Sequence, residues 1–284
     1  MGSLEDGVPE TAAHAGGADE EGTLDAIAFV GDTLGPLFYY DPAAAEVRPT
    51  YEALSGLDVE AAATEWPFVS AEDAEGALRL IVAGLTRDAG GEVPRGSATD
   101  GASHEGAADG TSQAVSDDLA WEYRRLFVGP AAKAAPPWGS VYTDRDCIIC
   151  GNSTLDLRAW LRANGIEVPG ADGEPEDHIG LMLLLAAWIA RQRPALLREY
   201  LERHLLTWAP HFLDVVREQT RTPFFEGLAL LASCSLAGLQ DELSLTVETP
   251  RFYRCRRDGV RRSTTTNATN ATMPTAAMQQ YSHW

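Results

Sequence analysis

The sequence predicts an all-α fold, and three observations carry that reading. Apolar residues recur at helical spacing over most of the chain: Leu24, Ile27, Ala28, Val30, Leu34, Leu37 and Phe38 are the first such set. No segment sustains the alternation of a strand. Finally, Ile179 to Ala190 is apolar nearly all round, the mark of a central buried helix.

The elements follow in order. Residues 1–22, rich in Gly, Ala, Glu and Asp without apolar periodicity, read as a disordered tail, with order expected from Thr23. Asp41-Pro42 breaks the first helix, and a second is expected over Ala43 to Leu54. A short third helix follows Asp58 and ends before Pro67. Ser70 starts a fourth, with Glu72 and Asp73 in its first turn, where negative charge favours the helix dipole, and Ala74, Leu78, Ile81, Val82 and Leu85 on its apolar face. Residues 88–117 carry almost no large apolar side chain and read as a flexible insertion. Leu119 to Phe127 is helical and stopped by Gly129-Pro130. A Pro-rich loop, Ala134 to Tyr142, precedes a helix over Thr154 to Ala163 that Asn164-Gly165 ends.

The central helix is expected to start at Pro175, where a missing N–H costs nothing, with Glu174, Glu176 and Asp177 at its positive end. Pro194 breaks it. Two or three further helices run from Ala195 to Leu243, one carrying Leu197, Leu201, His204, Leu205 and Trp208 on a face. From Arg251 the chain becomes Arg-rich and then Thr/Asn/Ala-rich, and residues 251–284 read as a flexible tail.

Composition excludes several functions. The 284 residues carry a formal net charge of -20, the wrong sign for displacing counterions from phosphates, so nucleic acid is not an expected partner, whereas a cationic one suits the charge. The longest apolar run falls well short of the roughly 20 residues that span a bilayer. The acidic N-terminus lacks a basic-then-apolar secretory pattern, so a cytoplasmic protein without membrane insertion is expected. Four cysteines, Cys147, Cys150, Cys234 and Cys255, fit a reducing compartment.

Enzyme chemistry finds little support. Cys147-Ile148-Ile149-Cys150 is a lone CxxC without a second ligand pair, and packing cysteines explain it better than zinc. His178, His204 and His211 could complete a metal site only on paper. Ser140 lacks a nucleophile elbow, and the one lysine, Lys133, stands in no phosphate loop. No catalytic or metal-binding residue is therefore expected.

Two segments ask for more than a structural role. The loop from Gly129 through Pro136-Pro137-Trp138-Gly139-Ser140-Val141-Tyr142 offers fixed aromatic surface at small entropic cost, the alternative being that Trp138 plugs the core. Glu174-Pro175-Glu176-Asp177-His178 stands at the mouth of the buried helix, the alternative being simple capping.

These segments, together with Glu122-Tyr123-Arg124-Arg125-Leu126-Phe127-Val128-Gly129-Pro130 and the later His204-Leu205-Leu206-Thr207-Trp208-Ala209-Pro210-His211-Phe212, resemble the signatures of the TorD/DmsD family of chaperones over residues 23–245. The resemblance implies an all-helical protein of two packed halves, 23–165 and 178–250, joined by a hinge at 166–177 that contains Glu174 and Pro175. It implies a chaperone rather than an enzyme. Such a chaperone binds the twin-arginine leader of a DMSO- or TMAO-reductase-like molybdoenzyme and holds the apo form until molybdopterin is inserted, before export by the Tat translocase, whose components are possible further partners. Trp138, Gly139, Ser140, Tyr142, Glu176, Asp177 and His178 are the implied leader-binding residues. Carboxylates and aromatic faces are what guanidiniums bind. No cofactor is expected; weak guanine-nucleotide binding follows from the resemblance alone. Two other readings compete: an assembly chaperone of the nitrate-reductase type and a small helical metal or redox enzyme.

Overall fold

A computed structural model describes residues 12–86, 117–130, 132–167 and 173–253. Eleven α-helices lie within them: α1 (Ala12–Tyr39), α2 (Arg48–Ser55), α3 (Val59–Glu65), α4 (Ala71–Thr86), α5 (Asp117–Tyr123), α6 (Gly139–Thr143), α7 (Asn152–Ala163), α8 (Ile179–Gln192), α9 (Leu197–Tyr200), α10 (Ala209–Gln219) and α11 (Pro223–Glu242). The described residues contain no strand, only an isolated antiparallel bridge between Trp138 and His178. The all-α expectation holds.

The described residues form two compact units: 12–39, 137–167, 173–210 and 235–253 in one, and 40–86, 117–130, 132–136 and 211–234 in the other. This division differs from the sequential halves expected on either side of 166–177, because α1 packs against α8 within the first unit. Three glycines make that packing close. A Cβ on Gly31 would fall 2.3 Å from the Leu183 carbonyl oxygen, one on Gly35 2.8 Å from Leu184, and one on Gly180 2.7 Å from the Tyr39 Cβ. The apolar face read from α1 is buried from Ile27 onward, with Leu24 half-buried, and Leu197, Leu201, His204, Leu205 and Trp208 are buried as expected.

The second unit is built on aromatic side chains. Tyr51 stacks on Phe224 at 5.3 Å, and Phe127 meets Tyr123, Phe212 and Phe225 at 5.2, 6.1 and 5.7 Å. Its one deeply buried carboxylate, Glu122, is held by Arg125 through two bonds of 2.7 and 2.8 Å and by the Arg221 N–H at 2.6 Å. Burial pushes this carboxyl up, but Arg125 and the Arg221 N–H outweigh burial and hold it below the usual glutamate range. The Glu122–Arg125 pair of the sequence signature is therefore an internal anchor.

Several boundaries differ from the sequence reading. Helix α1 begins at Ala12 rather than Thr23, extending through a stretch without an apolar face and against the low helix propensity of Gly16 and Gly17. Helix α2 begins at Arg48, because the Asp41 side chain and carbonyl accept the Ala43 and Ala44 N–H groups and hold the preceding residues in turns. Helix α8 begins at Ile179 rather than Pro175: the His178 ring accepts the Gly180 N–H and caps the helix there, with no acidic residue in its first turn. The loop expected over 134–142 contains the short α6. After α5 the chain widens into a π-helical turn over Arg124–Val128, closed by Gly129 at a φ of 107°. The expectations for residues 1–11, 88–116 and 254–284 lie outside the described residues.

Gly31→Ala should destabilise the fold by about 1–3 kcal/mol, the usual cost of overpacking, despite its better helix propensity. Gly76→Ala, in α4 with nothing within 4 Å of the added methyl, should stabilise it by up to about 1 kcal/mol. Urea unfolding of both variants beside the wild type checks the opposite signs.

Candidate functional site

The two segments singled out in the sequence meet in the first unit. The Gly139 N–H donates to the Asp177 carbonyl at 3.1 Å and the Ile179 N–H to the Pro137 carbonyl at 2.8 Å, which pairs Trp138 with His178. Pro137 fits this register because its missing N–H is not asked for, while its carbonyl is. Directly after the pair, α6 begins, and the Ser140 N–H donates to Asp177 Oδ2 at 2.7 Å. Asp177 thus satisfies an orphan donor in the first turn of α6, as an aspartate commonly does at a helix start, though it reaches there across the chain.

The surroundings of Asp177 are polar and enclosed. Ser140 and Thr154 are fully buried beside it, and Asp177 itself is 2% exposed. Burial pushes its carboxyl above the ordinary aspartate range, against the pull of the Ser140 N–H and the nearby Ser140 and Thr154 hydroxyls. Those hydroxyls lie close enough to act on its charge, yet neither they nor Asp177 Oδ1 close a well-formed hydrogen bond.

The remaining expected site residues are gathered here but are not an open surface. Trp138 is 8% exposed, donates from Nε1 to Glu174 Oε1 at 2.5 Å, and meets the His178 ring edge-on at 6.1 Å. Tyr39 closes on the other side of His178 at 5.2 Å. Glu176 is bound by Arg158 through two bonds of 2.7 and 2.5 Å; burial pushes Glu176 up, but Arg158 overrides burial and holds it below the usual glutamate range. Tyr142 is buried and stacks on Trp208 at 6.2 Å, and a Cβ on Gly139 would meet the same indole at 2.7 Å. The expectation of an exposed aromatic platform is therefore corrected: Trp138 and Tyr142 are inward wedges, and Glu174 and Glu176 are already paired. Trp138→Ala should cost the several kcal/mol usual for a buried aromatic, not melt near wild type.

One open feature adjoins this framework. A cleft of about 450 Å³ has Asp177, Met182 and Trp208 in its lining, together with Ser153, Asp156, Leu157, Glu202, Arg203, His204, Thr207, Thr246 and Glu248. The sequence reading missed Asp156, Glu202 and Glu248. In a chain with 42 acidic residues, no spacing marks three of them as neighbours.

The metal alternatives gain nothing. No group of three or more His, Cys, Asp and Glu residues suited to a metal occurs among the described residues. Cys147 and Cys150 are free thiols, half-buried and exposed respectively and so not the packing cysteines expected, in a turn where both adopt positive φ, 49° and 63°.

Comparison with known proteins agrees with the geometry. A family model described as "Nitrate reductase delta subunit" matches residues 97–214. The Tat proofreading chaperone DmsD of Salmonella typhi is 37% identical over 231 residues, covering 81% of this chain and 97% of its own. The probable Tat proofreading chaperone DmsD of Haemophilus influenzae is 46% identical over 140 residues, or 49% of this chain and 69% of its own. The chaperone protein TorD of Vibrio vulnificus is 28% identical over 133 residues, or 42% and 62%. These similarities place the chain in the class of redox-enzyme maturation chaperones. The chain belongs to the TorD/DmsD family.

His178 gives this site a pH signature. Burial depresses its pKa to about 3, against an unfolded value near 6.5. Between those values the unfolded chain holds a proton that the folded one lacks, so stability falls as pH drops, by up to about 1.4 kcal/mol per pH unit. His204, depressed to about 4 by burial first and Arg203 next, adds to the same slope. Asp177, raised, has the opposite sign, its contribution being lost as pH rises through its folded value. His178→Asn keeps a side-chain acceptor for the Gly180 N–H but cannot titrate. Denaturant unfolding at pH 7, 6 and 5 should show a shallower decline in this variant than in the wild type.

Proposed function

We propose that this protein binds the twin-arginine leader of a DMSO- or TMAO-reductase-like molybdoenzyme in the cytoplasm. It holds the apoenzyme until molybdopterin is inserted, before the precursor passes to the Tat translocase. The observation that carries the reading is the 37% identity to a Tat proofreading chaperone across 97% of that protein's length. The site supports it in its chemistry. A leader presents two guanidiniums followed by an apolar stretch, and the open cleft joins carboxylates to Trp208 and Met182. In this reading Asp177 contacts the leader from the cleft floor, while Trp138, Gly139, Ser140, Tyr142, Glu176 and His178 hold Asp177 in place. Among the described residues no helix is long and apolar enough to cross a membrane, which suits a chaperone that meets its client before export.

A second reading, assembly of a nitrate-reductase-type enzyme, is favoured by the description of the family model over 97–214. The near full-length match to a leader chaperone makes the first the one adopted.

Calorimetry with a client leader tests it. Replacing the two arginines by alanine should weaken binding at least tenfold, given about 1.5–3 kcal/mol for each hydrogen bond to a charged group. Raising salt should weaken binding of the unaltered leader in the same direction. Equal affinity for both peptides would overturn guanidinium recognition.

A further inference from the structure

We propose that the cleft above Asp177 is an arginine-selective subsite, where one guanidinium of an extended peptide lies between the floor acceptors Asp177 Oδ1 and His204 Nε2 and the rim carboxylates of Asp156 and Glu248. The subsite rests on the leader-binding reading for the identity of the peptide, and on the cleft itself for its chemistry.

Three stretches of the first unit build it. Helix α7 brings Asp156. The turns after α9 bring Glu202, His204 and Trp208. The extended segment after α11 brings Thr246 and Glu248. That segment is fastened in place: Arg198 donates to the Leu243 carbonyl at 2.6 Å, the Thr246 N–H to Glu202 Oε1 at 3.0 Å, and the Tyr253 N–H to the Tyr142 carbonyl at 2.9 Å. Glu202 is thereby committed to the wall. Arg203, which also lines the cleft and whose charge reaches His204, is ion-paired with Glu199.

The floor points to a ligand more directly than the acidic rim does. Asp177 is 2% and His204 7% exposed, and Asp177 Oδ1 and His204 Nε2 have no hydrogen-bond partner. Buried polar atoms left unmade cost free energy, and a donor arriving from the cleft would recover it for both. His204 is within electrostatic reach of Asp156, so floor and rim belong to one site. Depressed to about 4, His204 is neutral at pH 7, and its Nε2 accepts when the proton is on Nδ1.

What fits is a planar, multiply donating cation. Guanidinium carries five N–H donors in a fixed fork and can address floor and rim acceptors together; an ammonium is a compact, strongly hydrated charge that would give up more water to reach the floor. The same carboxylates repel a nucleotide's phosphates, so the guanine-nucleotide binding expected from the resemblance does not suit this cleft.

The test compares the wild type with Asp156→Asn, Glu248→Gln and their double variant, none of which removes a side chain from the core: both residues are exposed. Asp156→Glu serves as the conservative control. Calorimetry uses the client leader with Arg-Arg and with Lys-Lys. In parallel, acetyl-Arg-Arg-amide is titrated while the Trp208 indole N–H is followed by NMR. The wild type should prefer the Arg-Arg leader by about tenfold or more, the equivalent of one charged hydrogen bond. The double variant should lose most of that preference with unchanged melting, while Asp156→Glu keeps it, and the short peptide should shift the Trp208 signal in the wild type only. An Arg/Lys ratio or a Trp208 titration unchanged in the double variant overturns the subsite and leaves the leader reading intact. A wild type that binds no leader, yet whose Trp208 signal responds to the short arginine peptide in an Asp156- and Glu248-dependent way, overturns the leader reading and supports the subsite.

Discussion

The first unit's site depends on one short backbone pairing. Two hydrogen bonds join residues 137–139 to 177–179, and everything around the cleft is indexed to that register. The pairing places Trp138 against His178, delivers the Ser140 N–H to Asp177, and sets the point at which the His178 ring caps α8. A slip of one residue would turn each of these side chains to the other face. A two-bond bridge has little stability by itself. It persists here because its flanks are fixed: α8 is buried along α1, and Tyr142 and Gly139 are packed on Trp208.

Charge is handled differently at the surface and inside. The excess of carboxylates faces solvent, while the inward ones have partners chosen by geometry. Glu176 has the fork of Arg158 and Glu122 that of Arg125, each a bidentate match that offsets part of the desolvation cost. Asp177 departs from that pattern. Its hydrogen-bond partner is the Ser140 N–H, with uncharged hydroxyls nearby and no cation, and its carboxyl is consequently raised by burial where Glu122 and Glu176 are lowered. A carboxylate held this way keeps capacity for a cation that an internally salt-bridged one has spent.

Much of the fold was legible in the sequence because helical periodicity reports burial: most residues read as the apolar faces of α1, α4 and α8 are buried, with Leu24, Val82 and Leu85 at the margins. The boundaries were harder, since caps decide them. Nothing local in Glu174-Pro175-Glu176-Asp177-His178 says that the histidine rather than the proline starts the helix; the Trp138 bridge decides it. The residues singled out in the sequence do come together, but as a buried framework and not as a surface. Trp, Tyr and paired acids after a Pro-rich stretch look like an exposed platform until Arg158 and Trp208, distant in sequence, are seen to cover them. The cleft's own rim, Asp156 and Glu248, carries no sequence signal, because an acidic chain offers such residues everywhere.

The two motif segments form a single paired, buried framework behind the cleft. Amide hydrogen exchange at Gly139, Ser140 and Ile179 tests it most directly, compared between the wild type and Asp177→Ala. All three amides should exchange near the slowest rate of the first unit in the wild type, and removing the Asp177 carboxylate should accelerate the three together while amides in the middle of α8 stay protected. Rapid exchange at Gly139 and Ile179 in the wild type, or acceleration of Ser140 alone in the variant, would contradict it.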